Sequence, residues 1–287
     1  LPEKDLSRAN GLLEMTTFMA IILGTTLGGL LYKHWAGQPG LLNLVLVAVA
    51  VVGLVSCFAV PKVPPSGART PFRWNPFAGI GQGIRDLRRQ PTLWLTVLGI
   101  SYFWFLGAFL LAVIAPLGEL MKLAPDATSL LETFLAVGIG AGSLIAGKLS
   151  GDKVELGLVP LGSLGMGFGA LGIWGASGAS YAWTAAAFSL LGLSAGFFAV
   201  PLNALLQQKS EKEGKGRFLA VNNFVNAVGM ILSFGLLGLL GKAEIPADRS
   251  VLILGLLTFG MTAYLLTILP DFLIRFSLWL FTHTIYK

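Results

Sequence analysis

Charge is what this chain has least of. Only 12% of its 287 residues are Asp, Glu, Lys or Arg, against roughly 25% in an ordinary soluble domain, so water is excluded as the solvent of most of the chain. Cysteine is nearly absent: Cys57 alone, inside an apolar run, rules out an intramolecular disulfide or a cysteine-based metal cluster. Histidine is limited to His34 and His283, which fall on opposite membrane faces in the topology argued below and cannot pair on a metal. There is no nucleophile elbow, phosphate-binding loop or His/Cys/Asp constellation, and neither histidine is followed four residues later by an aspartate. The expectation is a non-enzyme without a cofactor.

Abundant instead are apolar runs of about 20 residues, each long enough for a helix to cross the roughly 30 Å hydrocarbon layer. Eight are read, at 12–32, 40–60, 93–115, 129–149, 156–176, 182–206, 219–240 and 251–270. Barrel strands would be about ten residues long and alternate in polarity, and these runs do neither. The fold class is therefore an all-α membrane protein with about eight transmembrane helices. A net charge of +6 could point to nucleic acid, but its distribution decides otherwise. With both ends on one side, only Lys33, Lys122, Lys242 and Arg249 of the 20 basic residues fall on the other. That is a positive-inside pattern: both ends and the Arg-rich 61–92 segment are expected in the cytoplasm, and nucleic acid drops out as a partner.

The proline-rich, basic stretch "PKVPPSGARTPFRWNPFAGIGQGIRDLRRQPT" separates the first two spans from the following six. Within it a short amphipathic helix would put Ile80, Ile84 and Leu87 on one side and Arg85, Arg88 and Arg89 on the other. Two readings stay open for it, a helix lying on the anionic inner leaflet and a solvated basic linker. Glycine recurs four residues apart at Gly24/Gly28, Gly138/Gly142, Gly165/Gly169 and Gly192/Gly196, a spacing that lets helix backbones approach closely in lipid. There is also an internal echo. "RANGLLEMTTFMAIILGTTLGG" resembles "LAVNNFVNAVGMILSFGLLGLLG", and aligning Asn10 on Asn222 puts Glu14 on Asn226. Parallel repeats of this kind are built into one large class of transporters, whose halves rock around a site near the midplane.

The echoed polar helix starts, the central basic loop and "GKLSGDKVELG" (147–157) together resemble the major facilitator superfamily, the last through its Gly-x-Leu-x-x-Asp-Arg/Lys loop signature. Within it "RANGLLE" with "AIILG", "AGFFAVPLNALLQ" and "AVNN" resemble the bacterial lysophospholipid transporter branch, and "LPDFLIRFSLWLFTHTIYK" resembles the join to a fused glycerophospholipid acyltransferase. The resemblance implies a major facilitator type bundle present as helices five to twelve. Residues 1–60 would close the N-terminal bundle, 61–92 form the cytoplasmic linker, 93–270 the C-terminal six-helix bundle, and 271–287 an interfacial segment. It implies a transporter of lysophosphatidylethanolamine-like lipids in the bacterial cytoplasmic membrane, working among membrane lipids with a fused or associated acyltransferase. A small-molecule exporter of the same fold and a non-transporting acyltransferase anchor are the alternatives.

Polar side chains inside lipid are costly, so each requires an account. Asn10, Glu14, Thr17, Gly24 and Gly28 form one stripe at helical spacing, and Asn222, Asn226, Gly229 and Ser233 repeat it. Asn203 and Gln207 follow Pro201, which is expected to kink its helix and free backbone carbonyls. Asn10, Glu14, Asn203, Asn222 and Asn226 are thus the candidate binding residues for a zwitterionic headgroup; for Glu14 the other reading is an acid favoured by the helix dipole near a helix start. The superfamily pattern further implies a latch between Asp152 and the helix start near Arg8, against a plain solvated loop. Glu132 reads as a helix-start charge. The aromatics Phe103, Trp104, Phe105 and Phe109 read either as core packing or as acyl-chain contacts.

Overall fold

A computed structural model describes residues 6–35, 37–60, 76–151, 154–210, 215–268 and 274. Among them are nine helices and no strand: α1 (Leu6–Trp35), α2 (Pro39–Cys57), α3 (Pro76–Arg88), α4 (Pro91–Leu120), α5 (Pro125–Ser150), α6 (Leu158–Ser177), α7 (Tyr181–Lys209), α8 (Lys215–Lys242) and α9 (Ala247–Ile268). Every apolar run read from the sequence falls on a helix. Seven of the described helices, α2 and α4–α9, are long and apolar enough to cross a membrane, and α1, at 30 residues, has the length as well. Three of these helices begin on proline, at Pro39, Pro91 and Pro125, each after a residue with non-helical dihedrals. The first helical turn has no intrahelical acceptor for an N–H, so the missing donor costs nothing there and the fixed φ favours the start.

The chain forms two compact units, Leu1–Met19 with Trp74–Lys287, and Ala20–Arg73. The smaller unit holds the rest of α1 and α2, and α2 has no buried residue. In the larger unit the core runs along α4 and α7, where Phe109, Phe188 and Phe198 are fully buried. Phe103 belongs to this core, with Trp104 and Phe105 packed on it, so the aromatic set is packing.

Burial from water cannot drive helices together in lipid, so close backbone contact has to hold the bundle. A Cβ on Gly142 would fall inside the Leu193 backbone, and one on Gly192 or Gly196 inside the backbone of α5. Glycines thus seam α5 to α7 from both sides, and Gly169 does the same for α6 against Leu191. The Gly24/Gly28 pair does not follow suit: nothing described lies within 4 Å of where either Cβ would be.

The linker helix α3 docks on protein. Leu87 is fully buried, Ile84 packs on the main core, and a Cβ on Gly83 would sit 2.5 Å from Val221 Cγ2 of α8. Arg217 of α8 donates to Asp86 at 2.9 Å. The apolar face, which one of the two readings laid on the leaflet and the other left to solvent, is therefore taken up by the bundle, because α8 offers a matching apolar surface at Phe218 and Val221. Arg85, Arg88 and Arg89 stay exposed, and the Arg88 guanidinium lies 5.2 Å from the Trp94 ring centroid.

Candidate functional site

The buried stripe of α8 runs through Phe218, Asn222, Asn226, Gly229, Ser233 and Leu240, a helical period that turns one face inward. Contact with α4 fixes its depth. Ser101 Oγ donates to the Val225 carbonyl at 2.9 Å, and a Cβ on Gly229 would lie 2.6 Å from Ser101 Oγ, so the absence of a side chain there permits the approach. Asn222 and Asn226 sit on this closely packed face at 5% and 6% exposure, and the Oδ1 atom of each has no hydrogen-bond partner among the described residues. A buried acceptor left without a partner costs about 1–3 kcal/mol. Ser233, on the same face, is satisfied by the Met230 carbonyl at 2.7 Å. The two asparagines, one turn apart, thus present two acceptor oxygens to the interior without a described donor.

Asn203 stands on α7, half-buried, with Nδ2 donating to the Ala199 carbonyl at 3.2 Å. Helix α7 continues through Pro201 to Lys209; the proline removes only the N–H that would reach the Phe197 carbonyl. The side chains of Asn10 and Glu14 lie outside the described residues, but α1 itself is placed. A Cβ on Gly11 would lie 2.5 Å from the Ser143 carbonyl oxygen, and the Cβ position of Gly140 is 3.7 Å from Met15 Cγ. The face carrying Gly11 and Met15 therefore packs on α5, next to Ser143, whose Oγ is a further buried atom without a described partner. The sequence reading missed this pairing; the run of small residues "GIGAGS" in α5 was its only signal. Of the latch pair, Arg8 lies in the first turn of α1 with its side chain outside the described residues, and Asp152 lies outside them altogether; the turn before Asp152 is made by Gly151, whose φ of +54° suits glycine. Glu132 lies in the second turn of α5 and is half-buried.

A feature with no sequence forewarning is a cavity of about 270 Å³ between α4, α6, α7 and α9. Its walls are almost wholly apolar, among them Leu95, Val159, Phe198 and Leu202. Beside it the Tyr102 hydroxyl pairs with Thr258 Oγ1 at 2.6 Å, and Thr258 in turn donates to the Leu254 carbonyl at 2.8 Å.

Membrane-length helices seamed by glycine, with amide oxygens buried between them, define a multi-pass helical membrane protein. The family description "Major Facilitator Superfamily" matches residues 1–234, and the chain belongs to that superfamily. Among curated proteins it is similar to the lysophospholipid transporter LplT of Enterobacter sp. (strain 638), 32% identical over 249 residues, 84% of this chain and 60% of that protein. It is likewise similar to LplT of Klebsiella pneumoniae (strain 342), 33% identical over 251 residues with the same coverage, and to LplT of Yersinia enterocolitica, 31% identical over 254 residues, 85% of this chain and 60% of that protein. The chain thus spans about 60% of the length of these relatives. No solved structure matches it significantly.

Proposed function

We propose that this chain takes part in moving lysophospholipids of the lysophosphatidylethanolamine type across the bacterial cytoplasmic membrane by alternating access. The observation that carries the reading is the 32% and 33% identity to relatives named lysophospholipid transporters, across 84% of the chain. The buried acceptors of Asn222 and Asn226 support it chemically. A carbonyl oxygen accepts hydrogen bonds, so these atoms suit the ammonium or glycerol hydroxyl of the headgroup, while amide N–H groups, including those of Asn10 and Asn203, suit the phosphate. Glu14 supplies the one negative charge to attract the ammonium. Asp152 and the helix start near Arg8 act as a latch that favours the cytoplasm-closed state, worth under about 1 kcal/mol if exposed. The charge asymmetry supports cytoplasmic placement of both ends, on the side where a fused or associated acyltransferase would reacylate the delivered lipid.

The test is uptake of labelled lysophosphatidylethanolamine by spheroplasts expressing the protein at its natural length. Saturable uptake that falls in Glu14→Gln and Asn226→Ala at equal membrane abundance is the expected result. Wild-type protein that imports none of the lipid, yet holds an acyltransferase at the membrane, would replace transport with anchoring.

A further inference from the structure

The cavity beside Tyr102 differs from the asparagine face in both place and chemistry. Helices α4 and α9 are pinned together by the Tyr102–Thr258 hydroxyl pair. From there towards the start of α4 and the end of α9 the cavity is lined by Leu95 and Leu98 on one side and Met261, Leu265 and Ile268 on the other, and Gly99 brings α4 close to α7: a Cβ there would meet Leu202 Cδ1 at 2.9 Å. The floor is α7, with Phe198 and Leu202 buried. The rim is large, apolar and exposed, at Leu98 (41%), Tyr264 (54%) and Ile268 (39%). Thr96 lines the wall, but its hydroxyl is satisfied by the Thr92 carbonyl at 2.7 Å, so it offers little to a polar guest.

Two facts fix the occupant. Both rim helices are of membrane-crossing length and composition, so in a bilayer an exposed leucine, tyrosine and isoleucine at the opening would face hydrocarbon. An apolar cavity of about 270 Å³ is well above the roughly 150 Å³ of an engineered apolar cavity that stays dry and takes up benzene; water gains nothing by entering, whereas a methylene chain does. We infer that this cavity is a lateral binding site for one acyl chain of a membrane lipid, entered from the bilayer between α4 and α9. Along α4 its lining runs from Thr92 to Tyr102, whose hydroxyl is held by Thr258. The site lies wholly within one compact unit and does not rest on the transport reading.

Photolabelling tests it directly. The protein, reconstituted in phosphatidylcholine vesicles, is irradiated with a lysophosphatidylethanolamine carrying a diazirine in mid-chain, and in a second arm with a two-chain phosphatidylcholine carrying the same tail. Labelling of Leu98 and Tyr264 is expected to exceed several-fold that of Ile231 and Leu239 of α8, which are more exposed but do not line this cavity. Leu202→Trp fills the floor; excluding two methylenes is worth roughly tenfold in occupancy, so labelling at the rim should drop about that much and stay unchanged at Ile231. Gly99→Ala is the milder variant should the tryptophan disturb folding, and it predicts a smaller drop at the same residues. Labelling by the single-chain probe alone assigns the site to lysolipid, and labelling by both probes assigns it to bilayer lipid. Rim labelling no stronger than at Ile231, or unaffected by either filling variant, would overturn the inference.

Discussion

Replacing Asn222 and Asn226 with leucine separates a binding role from a structural one, because the two roles move stability in opposite directions. Each Oδ1 is buried without a described partner, at a cost of about 1–3 kcal/mol to the folded bundle. Leucine keeps the same branched shape with somewhat greater bulk and removes that acceptor; it also removes the amide N–H groups, and a hydrogen bond made by one of them would be worth about 1 kcal/mol. The balance is about 0–2 kcal/mol of stabilisation per site, and because the residues are neighbours the two need not add. The double variant should therefore unfold at an equal or higher temperature, by up to a few degrees, in fluorescence-monitored melting of the detergent-solubilised protein. Transport moves the other way. A hydrogen bond to a charged donor such as the headgroup ammonium is worth about 1.5–3 kcal/mol, so lysophosphatidylethanolamine uptake at equal membrane abundance should fall by roughly 10- to 100-fold. A double variant that melts lower than wild type and imports at the wild-type rate would refute the reasoning and make both asparagines structural.

Three further outcomes follow from named contacts. Gly142→Ala puts a Cβ within 2.7–2.8 Å of Leu193 backbone atoms, which cannot swing aside, and should cost about 1–3 kcal/mol by overpacking; Gly24→Ala, with nothing among the described residues within 4 Å, should leave the melting temperature unchanged or raise it. The Asp86–Arg217 pair is partly exposed, 39% for Arg217 and 33% for Asp86, and is worth less than about 1 kcal/mol. Asp86→Arg should nevertheless speed proteolysis at α3, and Arg217→Asp in the same chain should restore resistance at low salt. Tyr102→Phe removes the hydroxyl that meets Thr258 and should cost about 0.5–1.5 kcal/mol in melting experiments, with Thr258→Val adding little on top because both substitutions break the same contact.

The spans were legible because lipid imposes a single rule, about 20 apolar residues in a row, which does not depend on knowing what each helix touches. Partner choice is where sequence ran out. The spacing of Gly138/Gly142, Gly165/Gly169 and Gly192/Gly196 is the same as that of Gly24/Gly28, yet the first three pairs seam α5, α6 and α7 while no described atom lies within 4 Å of the Cβ positions of the fourth; a small-residue ridge states that approach is possible and nothing about the neighbour. The amphipathic pattern of α3 had the same ambiguity. An apolar face at Ile84 and Leu87 fits a leaflet or a protein surface equally well, and only the Phe218 and Val221 surface of α8, more than 130 residues on, decides for protein. The cavity had no signature at all, since it is a gap between four helices that each read as continuous hydrocarbon.

For the site, the internal echo carried register but not environment. Aligning Asn10 with Asn222 places Gly11 opposite Asn223 and Met15 opposite Ala227. In α1 the face of Gly11 and Met15 packs on α5, whereas in α8 Asn223 is exposed and the buried face is the one through Asn222 and Asn226. Four-residue spacing shows that polar residues share a side of a helix; it cannot show whether that side meets a neighbouring helix or a cavity. What distinguishes Asn222 and Asn226 from ordinary buried polar packing is therefore not their pattern but their account of hydrogen bonds. Ser101, Ser233 and Thr258 each close on a backbone carbonyl, and the two asparagine oxygens close on nothing described. In a bundle held together by close contact, an unmet acceptor is a standing cost, and a bound headgroup that brings N–H or O–H donors would offset it.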